Sequence, residues 1–210
     1  MAQTLKEEHR TAIIDSAKEE FLKKGYKDAS MRSIANKAKM TVGNLYRYFK
    51  NKEDIIVFIV GDTLKEIDAV LKSLTSNSVS FETRVYNIQA DTSELRRMLD
   101  SLADKLVGIF YSHKIEFKIL MLHSKLNDEI TEWFAKTIKN LINQSYGIFS
   151  YDHESDVLSK AYASSIFAGL REIFKDDELD AKTLKMLIKI YFHSYIDMLD
   201  DDIRKIGESL

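Results

Sequence analysis

Cysteine and proline are both absent from this chain, and glycine is scarce, with seven residues in 210. Without cysteine the chain has no disulfide framework, no thiol nucleophile and no cysteine ligand for zinc or an iron–sulfur cluster. Proline and glycine are the residues that most often interrupt helices and form turns. Their scarcity argues against a many-turned β protein and favours an all-α chain.

Several longer signals are missing as well. No uncharged apolar run approaches the length of about 20 residues that crosses a bilayer as a helix. The N-terminus, MAQTLKEEHR, is charged where a secretion signal would be apolar. The nucleophile-elbow, phosphate-loop, dinucleotide-binding and H-E-x-x-H zinc motifs do not occur. We therefore expect a cytoplasmic protein without membrane contact, enzymatic activity, cofactor or metal site.

Charge is distributed unevenly along the chain. Residues 1–52 carry 12 Lys or Arg and six Asp or Glu, a net charge of +6, whereas the remainder carries 19 and 27, a net charge of −8. A basic segment on an acidic body suggests contact with a polyanion, although a solvated Lys-rich helix face would give the same count.

Apolar residues recur at intervals of three and four along most of the sequence, which is the period of an amphipathic helix. Helix N-caps are expected at Ser30, Thr41, Asn51 and Asp180, and the pattern predicts about nine helices. The last of these is expected to span Lys182 to about Leu199. Residues 75–92 are ambiguous, because they are polar at first and then partly alternating, as in a loop or a short strand.

Two short helices joined by a tight turn near Lys39 form a candidate helix-turn-helix, a unit that places its second helix in the DNA major groove. The second helix is predicted over Val42–Tyr48. Gly43 has no side chain and would let the helix backbone approach DNA closely. Polar side chains that could contact bases or phosphates lie along the helix, at Thr41, Asn44, Tyr46, Arg47 and Tyr48. Leu45 and Phe49 are expected to anchor this helix on Phe21, Ile34 and Ala35.

The run from Ala12 to Ile56 resembles the N-terminal DNA-binding segment of the TetR family of bacterial transcriptional regulators. The resemblance rests on F…GY, on S-M-R-S-I-A, on V-G-N-L-Y-x-Y-F and on K-x-K-E, which occur here in the family's order and spacing. It covers about residues 10–58. It implies a three-helix helix-turn-helix DNA-binding domain over residues 1–52 and a helical effector-binding and dimerisation domain over residues 53–210.

The resemblance also implies which positions contact DNA. Phosphate contacts are implied at the start of the second helix, at Ser30, Met31 and Arg32, and at Lys52, which opens the fourth helix. Contacts with bases or backbone are implied for Thr41, Val42, Gly43, Asn44, Tyr46, Arg47 and Tyr48. Val42 stands where relatives often have a polar or basic residue and would suit a thymine methyl group. Tyr48 stands where many relatives have histidine.

The C-terminal region suggests a homodimer. Residues 182–199 are apolar on most faces, so that helix must be buried on two sides, either in one deep core or partly against a second subunit. Small residues in the preceding helix would allow close helix approach. The resemblance implies a four-helix bundle between subunits, with candidate interface residues Ala161, Ser165, Ala168, Gly169, Leu184, Ile188, Tyr191 and Tyr195.

Aromatic residues are concentrated beyond residue 52, where 17 of the 22 occur. Family members usually enclose an effector among the central helices, and the residues suggest a small apolar or aromatic molecule. Candidate lining residues are Phe110, Phe117, Met121, Trp133, Phe134, Tyr162 and Phe167, each of which would also suit an ordinary core.

Two functions are consistent with the sequence. The first is a ligand-responsive regulator, most simply a repressor, that binds a palindromic double-stranded DNA operator as a dimer at the nucleoid and is released by its effector. The second is a helical ligand-binding or protein-interaction protein without operator binding.

Overall fold

A computed structural model describes residues 2–76, 92–122, 128, 130–132, 134–136, 138–139 and 152–207. All regular structure in these ranges is helical, which confirms the all-α fold. The helices with defined bounds are α1 (Ala2–Asp28), α2 (Met31–Lys37), α3 (Val42–Leu45), α4 (Lys52–Ser76), α5 (Thr92–Ser112), α6 (Lys114–Leu122), α7 (Asp152–Ile173) and α8 (Ala181–Gly207). The ambiguous stretch lies outside the described residues between positions 77 and 91. None of the described helices is long and apolar enough to cross a membrane.

The chain forms two compact units, each of which is assembled from two stretches of the sequence. One unit comprises Met1–Glu66 and Ser112–Ser124, and the other comprises Ile67–Tyr111 and Lys125–Leu210. The boundary expected at residue 52 coincides with the first residue of α4, which continues past the end of the first unit. The division into DNA-binding and effector domains concerns function, and it stays a prediction.

The first unit is built around α1, which packs against α2 and α6. The apolar face of α1 is buried, with Ile13, Ala17 and Phe21 at most 1% exposed. Gly25 interrupts this helix with φ 74° and ψ 169°, a conformation that glycine adopts without the steric penalty of a side chain. One further turn then leads to α2.

In the second unit, α5 and α8 are antiparallel partners joined by charge. Oδ1 of Asp104 forms ion pairs with Nζ of Lys189 at 3.1 Å and with Nζ of Lys185 at 3.3 Å. One turn earlier on α5, Asp100 lies 3.0 Å from His193, and Arg96 pairs with Asp197. The residue numbers of the paired side chains increase by four along α5 and decrease by four along α8. These pairs therefore fix the register of the two antiparallel helices.

Helix α8 is longer than expected. Its N-cap is Asp180, whose Oδ1 accepts a hydrogen bond from the backbone N–H of Thr183 at 2.7 Å, as predicted. The helix was expected to end near Leu199 and instead continues to Gly207. Acidic residues occupy positions 200–202, but no proline or glycine interrupts the helix before Gly207, so the backbone hydrogen bonds continue.

Candidate nucleic-acid interface

The turn between α2 and α3 is closed by backbone hydrogen bonds. The N–H of Met40 donates to the carbonyl of Ala35 at 3.0 Å, and that of Lys39 donates to Asn36 at 3.1 Å. This is the Schellman pattern, which requires a left-handed residue after the helix. Lys39 supplies it, with φ 54°. The turn therefore sets the direction in which α3 leaves α2.

Helix α3 is shorter than predicted, because it ends at Leu45 rather than Tyr48. Beyond Leu45 the backbone tightens to three-residue spacing, with N–H bonds from Arg47 to the Asn44 carbonyl and from Tyr48 to the Leu45 carbonyl. At the other end, Thr41 caps the helix as predicted, accepting a bond from the Asn44 N–H at 3.2 Å. We call residues 41–48 the recognition segment.

The recognition segment presents polar groups outward from a buried anchor. Leu45 is fully buried and Phe49 is 5% exposed, as predicted. Thr41, Gly43 and Arg47 are exposed, and Tyr46 is 51% exposed. A Cβ atom built on Gly43 would meet no atom of the protein within 4 Å, so the space beside it is open. Val42 and Asn44 are half-buried.

The three residues at the start of α2 for which phosphate contact is predicted differ in their exposure. Ser30 is the N-cap, and its Oγ accepts a hydrogen bond from the N–H of Ser33 at 3.1 Å. Met31 is half-buried, and Arg32 is exposed. Of these three side chains, Arg32 therefore carries the positive charge that solvent can reach.

Tyr48 is half-buried and contacts a residue that the sequence did not single out. Its hydroxyl lies 3.2 Å from Nδ1 of His9 in α1. The two rings meet edge to face, with centroids 6.2 Å apart. No periodicity or motif pointed to His9, because the two residues are 39 positions apart in the chain.

The ammonium group of Lys52 binds backbone carbonyls of the first unit. Its Nζ donates to the carbonyls of Tyr26 at 2.7 Å, Lys27 at 3.1 Å and Ala29 at 2.6 Å. A lysine ammonium has three N–H donors, so these bonds use all of them. Nζ also lies 4.7 Å from the ring centroid of Tyr26. This geometry fastens the start of α4 to the end of α1, and the implied phosphate contact stays a prediction.

A buried carboxylate joins α1 to α2. The Glu20 side chain is 1% exposed, and its oxygens lie 2.6 Å from Nζ of Lys24 and 3.2 Å from Nζ of Lys37. Burial opposes ionisation, but bonds from Lys24, Ser33 and Lys37 outweigh it and lower the pKa of Glu20 from 4.5 to about 2. No sequence pattern predicts this ion cluster, because Glu20 resembles an ordinary solvated charge.

The effector-pocket candidates do not form one described cavity. Phe117 and Met121 are buried in the first unit, whereas Phe110 and Phe167 are buried in the second. Phe110 packs on Phe174, with ring centroids 5.1 Å apart. Phe134 and Tyr162 pack against a small cluster of Ala135, Ile138 and Ala163. Trp133 lies outside the described residues. The effector site therefore stays a prediction.

The dimer candidates fall into two groups. Ala161, Ser165 and Ala168 are exposed, and Gly169, Tyr191 and Tyr195 are half-buried. Leu184 and Ile188 are fully buried within the subunit, so their assignment to direct interface contact was wrong. Among the described side chains of α7 and α8, the large apolar ones that are exposed are Val157 (56%), Met186 (51%), Ile190 (58%) and Met198 (41%), none of which was a candidate from sequence.

A groove of about 460 Å³ runs along α7 and α8 and contains six of the residues discussed above. Its lining is Leu158, Ala161, Tyr162, Ser165, Tyr191, Ser194, Tyr195 and Met198. The Tyr191 hydroxyl donates to the Ser165 carbonyl at 2.8 Å and lies 3.1 Å from the Tyr195 hydroxyl. Burial and the bond with Tyr195 raise the pKa of Tyr191, so its hydroxyl keeps its proton at neutral pH.

Comparison with known proteins relates the N-terminal segment of the chain to a family. The family described as "Bacterial regulatory proteins, tetR family" matches residues 13–57, the range that contains α2, α3 and the start of α4. The repressor KstR of Mycobacterium tuberculosis is 39% identical over 62 residues, which are 30% of this chain and 28% of that protein. The chain thus matches less than a third of that curated relative.

Two other comparisons extend over most of the chain. The uncharacterized transcriptional regulator YhgD of Bacillus subtilis is 23% identical over 197 residues, covering 88% of this chain and 94% of that protein. The crystal structure of NalD from Pseudomonas aeruginosa, a secondary repressor of a multidrug efflux pump, superimposes with a TM-score of 0.55 at 20% identity, covering 90% and 95% of the chains. This likeness establishes a shared fold. Residues 13–57, which contain the capped helix-turn-helix, thus match the TetR family of bacterial regulatory proteins, and the described chain shares the all-helical fold of NalD.

Proposed function

We propose that this protein is a dimeric, sequence-specific DNA-binding repressor that a small apolar or aromatic effector releases from its operator. It would act in the cytoplasm, at the nucleoid, and without catalysis. The observation that carries the proposal is the recognition segment, in which Gly43 faces open space beside exposed Thr41 and Arg47 while Leu45 is fully buried. Such a segment can enter a major groove without disturbing its own core.

Within the segment we propose a division of roles. Thr41, Val42, Gly43 and Asn44 would lie against base edges, because short side chains at the N-terminal end of a recognition helix leave room for close approach. Contacts with phosphates would come from Ser30, Met31, Arg32, Tyr46, Arg47 and Tyr48. For Lys52 we propose a positioning role, because its three donors already bind carbonyls of α1 and of the α1–α2 link.

Dimerisation through α7 and α8 supports operator binding. Val157 on α7 and Met186, Ile190 and Met198 on α8 are exposed apolar side chains, and the small residues Ala161 and Ala168 on α7 are exposed as well. An exposed apolar face of this kind is typical of a protein–protein interface. A two-fold dimer presents two recognition segments, which read half-sites about 34 Å apart on DNA.

Effector release would be a shift between two populations of the dimer. The ligand would bind more tightly to a dimer whose recognition segments are wrongly spaced for the operator, and it would thereby lower operator affinity. Operator DNA would lower the affinity for the ligand by the same factor. The scarcity of charge among the central aromatic residues favours an apolar or aromatic effector.

The test is a gel-shift titration with DNA from upstream of the protein's own gene, across a salt series and against a scrambled duplex. We expect specific binding whose affinity falls steeply with salt, because phosphate contacts release counterions. Asn44→Ala should lose discrimination between specific and scrambled DNA, and Arg47→Ala should weaken both similarly. Lys72→Ala removes a charge at a position 72% exposed on α4 and serves as the control that should change neither.

The alternative function gives a different result in the same experiment. A helical ligand-binding or interaction protein without operator binding would bind every duplex with the same weak affinity. Equal binding of specific and scrambled DNA by the unaltered protein, at every salt concentration, would refute the repressor.

A further inference from the structure

A histidine outside the helix-turn-helix lies against the recognition segment. Nδ1 of His9 is 3.2 Å from the hydroxyl oxygen of Tyr48, and the rings pack edge to face. Both side chains are half-buried, so the pair keeps a path to solvent or to a bound polyanion. His9 is therefore fixed beside a residue for which we propose phosphate contact.

The chemistry of the pair depends on the proton of His9. A tyrosine hydroxyl has one hydrogen to donate and two lone pairs that accept. If neutral His9 accepts at Nδ1, the single hydrogen of Tyr48 is used inside the protein and is not available to a phosphate. If His9 is an imidazolium, its Nδ1–H donates to the Tyr48 oxygen. The hydroxyl hydrogen is then free for a phosphate oxygen, and a positive charge lies behind it. The neutral tautomer that carries its hydrogen on Nδ1 also leaves the hydroxyl hydrogen free, so what proton uptake adds is the positive charge.

We propose that His9 is a positioning residue for Tyr48 at the DNA backbone, and that operator binding is coupled to uptake of one proton by this pair. The inference rests on the proposed function, because it requires a phosphate at Tyr48. Histidine is the side chain whose charge ordinarily changes between pH 5 and 8. Operator affinity should therefore rise as the pH falls through that range.

The charged residues within three positions of His9 in α1 are Lys6, Glu7, Glu8 and Arg10. Tyr48 is the titratable group that packs against His9 from the recognition segment. On its own helix face, the residues three and four positions away are Leu5, Lys6, Ala12 and Ile13, none of which is acidic. The neighbouring Arg10 points to another site, with its guanidinium carbon 4.3 Å from the Phe58 ring centroid. A phosphate would add negative charge that favours the imidazolium.

The experiment measures operator affinity by fluorescence anisotropy from about pH 6 to about pH 8 at constant salt, using the shortest upstream duplex that the unaltered protein binds specifically. Affinity of the unaltered protein should rise up to about tenfold per pH unit as the pH falls, the limit for uptake of one proton. His9→Gln and Tyr48→Phe should each flatten this dependence. The double variant should be no weaker than the weaker single variant, because the residues act as one unit. His153→Gln changes an exposed histidine of α7 and should keep the full pH dependence.

A second measurement does not depend on a variant that folds. Nitrogen-15 NMR of the histidine rings reports directly whether Nδ1 of His9 is protonated in the free protein and in the DNA complex. Protonation that increases on DNA binding supports the inference. If His9→Gln keeps both the affinity and the pH dependence of the unaltered protein, the inference is overturned while the repressor stands. If the unaltered protein does not distinguish the upstream duplex from scrambled DNA, the proposed function fails and the inference fails with it.

Discussion

Among single residues, Lys39 has a left-handed backbone conformation in the turn between α2 and α3. Its φ of 54° costs an ordinary residue about 1–2 kcal/mol, and glycine avoids that cost. Lys39→Gly should therefore increase the free energy of unfolding by about 0.5–1 kcal/mol after allowing for the more flexible unfolded chain. Urea denaturation followed by circular dichroism measures the change.

The control for this substitution is Lys39→Ala. Alanine removes the same charge but keeps the side-chain Cβ that the left-handed conformation disfavours. An equal gain in stability from alanine and glycine would show that charge, rather than backbone conformation, governs this position.

Gly43 allows contact with DNA to be separated from folding. Because a Cβ atom there meets nothing in the protein, Gly43→Ala should raise the free energy of unfolding by up to about 1 kcal/mol through helix propensity. The same methyl group would project toward the groove, so we expect operator affinity to fall at least about tenfold, or about 1.4 kcal/mol. Thermal unfolding and the gel shift measure the two effects.

Gly61 in α4 provides the matched position. A Cβ atom there also meets nothing within 4 Å, so Gly61→Ala should stabilise the protein similarly and leave operator affinity unchanged. Unchanged DNA binding by Gly43→Ala would remove Gly43 from the proposed contact surface.

Between elements, Glu20 is the charge that ties α1 to α2. Its pKa of about 2 in the folded protein lies below the ordinary value of 4.5, so its ionised form stabilises the fold. That contribution is present above about pH 4.5 and is lost as the pH falls toward about 2. Glu20→Gln should lower stability at neutral pH and flatten the acid limb of the stability curve.

The neighbouring Glu19 serves as the control for Glu20. Its side chain is 73% exposed and lies 3.5 Å from Lys37, so Glu19→Gln should change stability by less than about 1 kcal/mol. If Glu20→Gln leaves the acid limb as steep as in the unaltered protein, other carboxylates must govern acid unfolding.

For the whole molecule, the decisive prediction concerns the exposed face of α7 and α8. Ile190 is 58% exposed on this face. A two-fold interface would contain Ile190 twice, so Ile190→Lys should raise the dimer dissociation constant by at least about 100-fold. Light scattering coupled to size exclusion measures the mass, and operator affinity should fall with it.

Ile115→Lys is the comparison for the dimer test, because Ile115 is 45% exposed on α6 in the other unit. It should leave the dimer intact. A dimer that survives Ile190→Lys would place the subunit interface elsewhere.

Sequence reasoning predicted elements well and contacts between distant residues poorly. Period and caps identified α2, α3 and α8, because Ser30, Thr41 and Asp180 act on residues three positions away. For the nearly all-apolar α8, the same period could not distinguish buried Leu184 and Ile188 from exposed Ile190. Partners such as His9 with Tyr48, or Lys52 with the carbonyls near Gly25, depend on how helices cross, and no local pattern encodes that.

The meeting of α7 and α8 also constrains how this sequence can vary. A Cβ atom on Gly169 would lie 2.0 Å from the Tyr191 hydroxyl oxygen and 2.2 Å from its ring carbon Cζ. The two positions cannot change independently: a methyl group at 169 requires the phenol at 191 to move or to be replaced. Homologues with the same helix crossing should therefore pair a side chain at position 169 with a smaller residue at position 191, and this coupled substitution is readable from sequences alone.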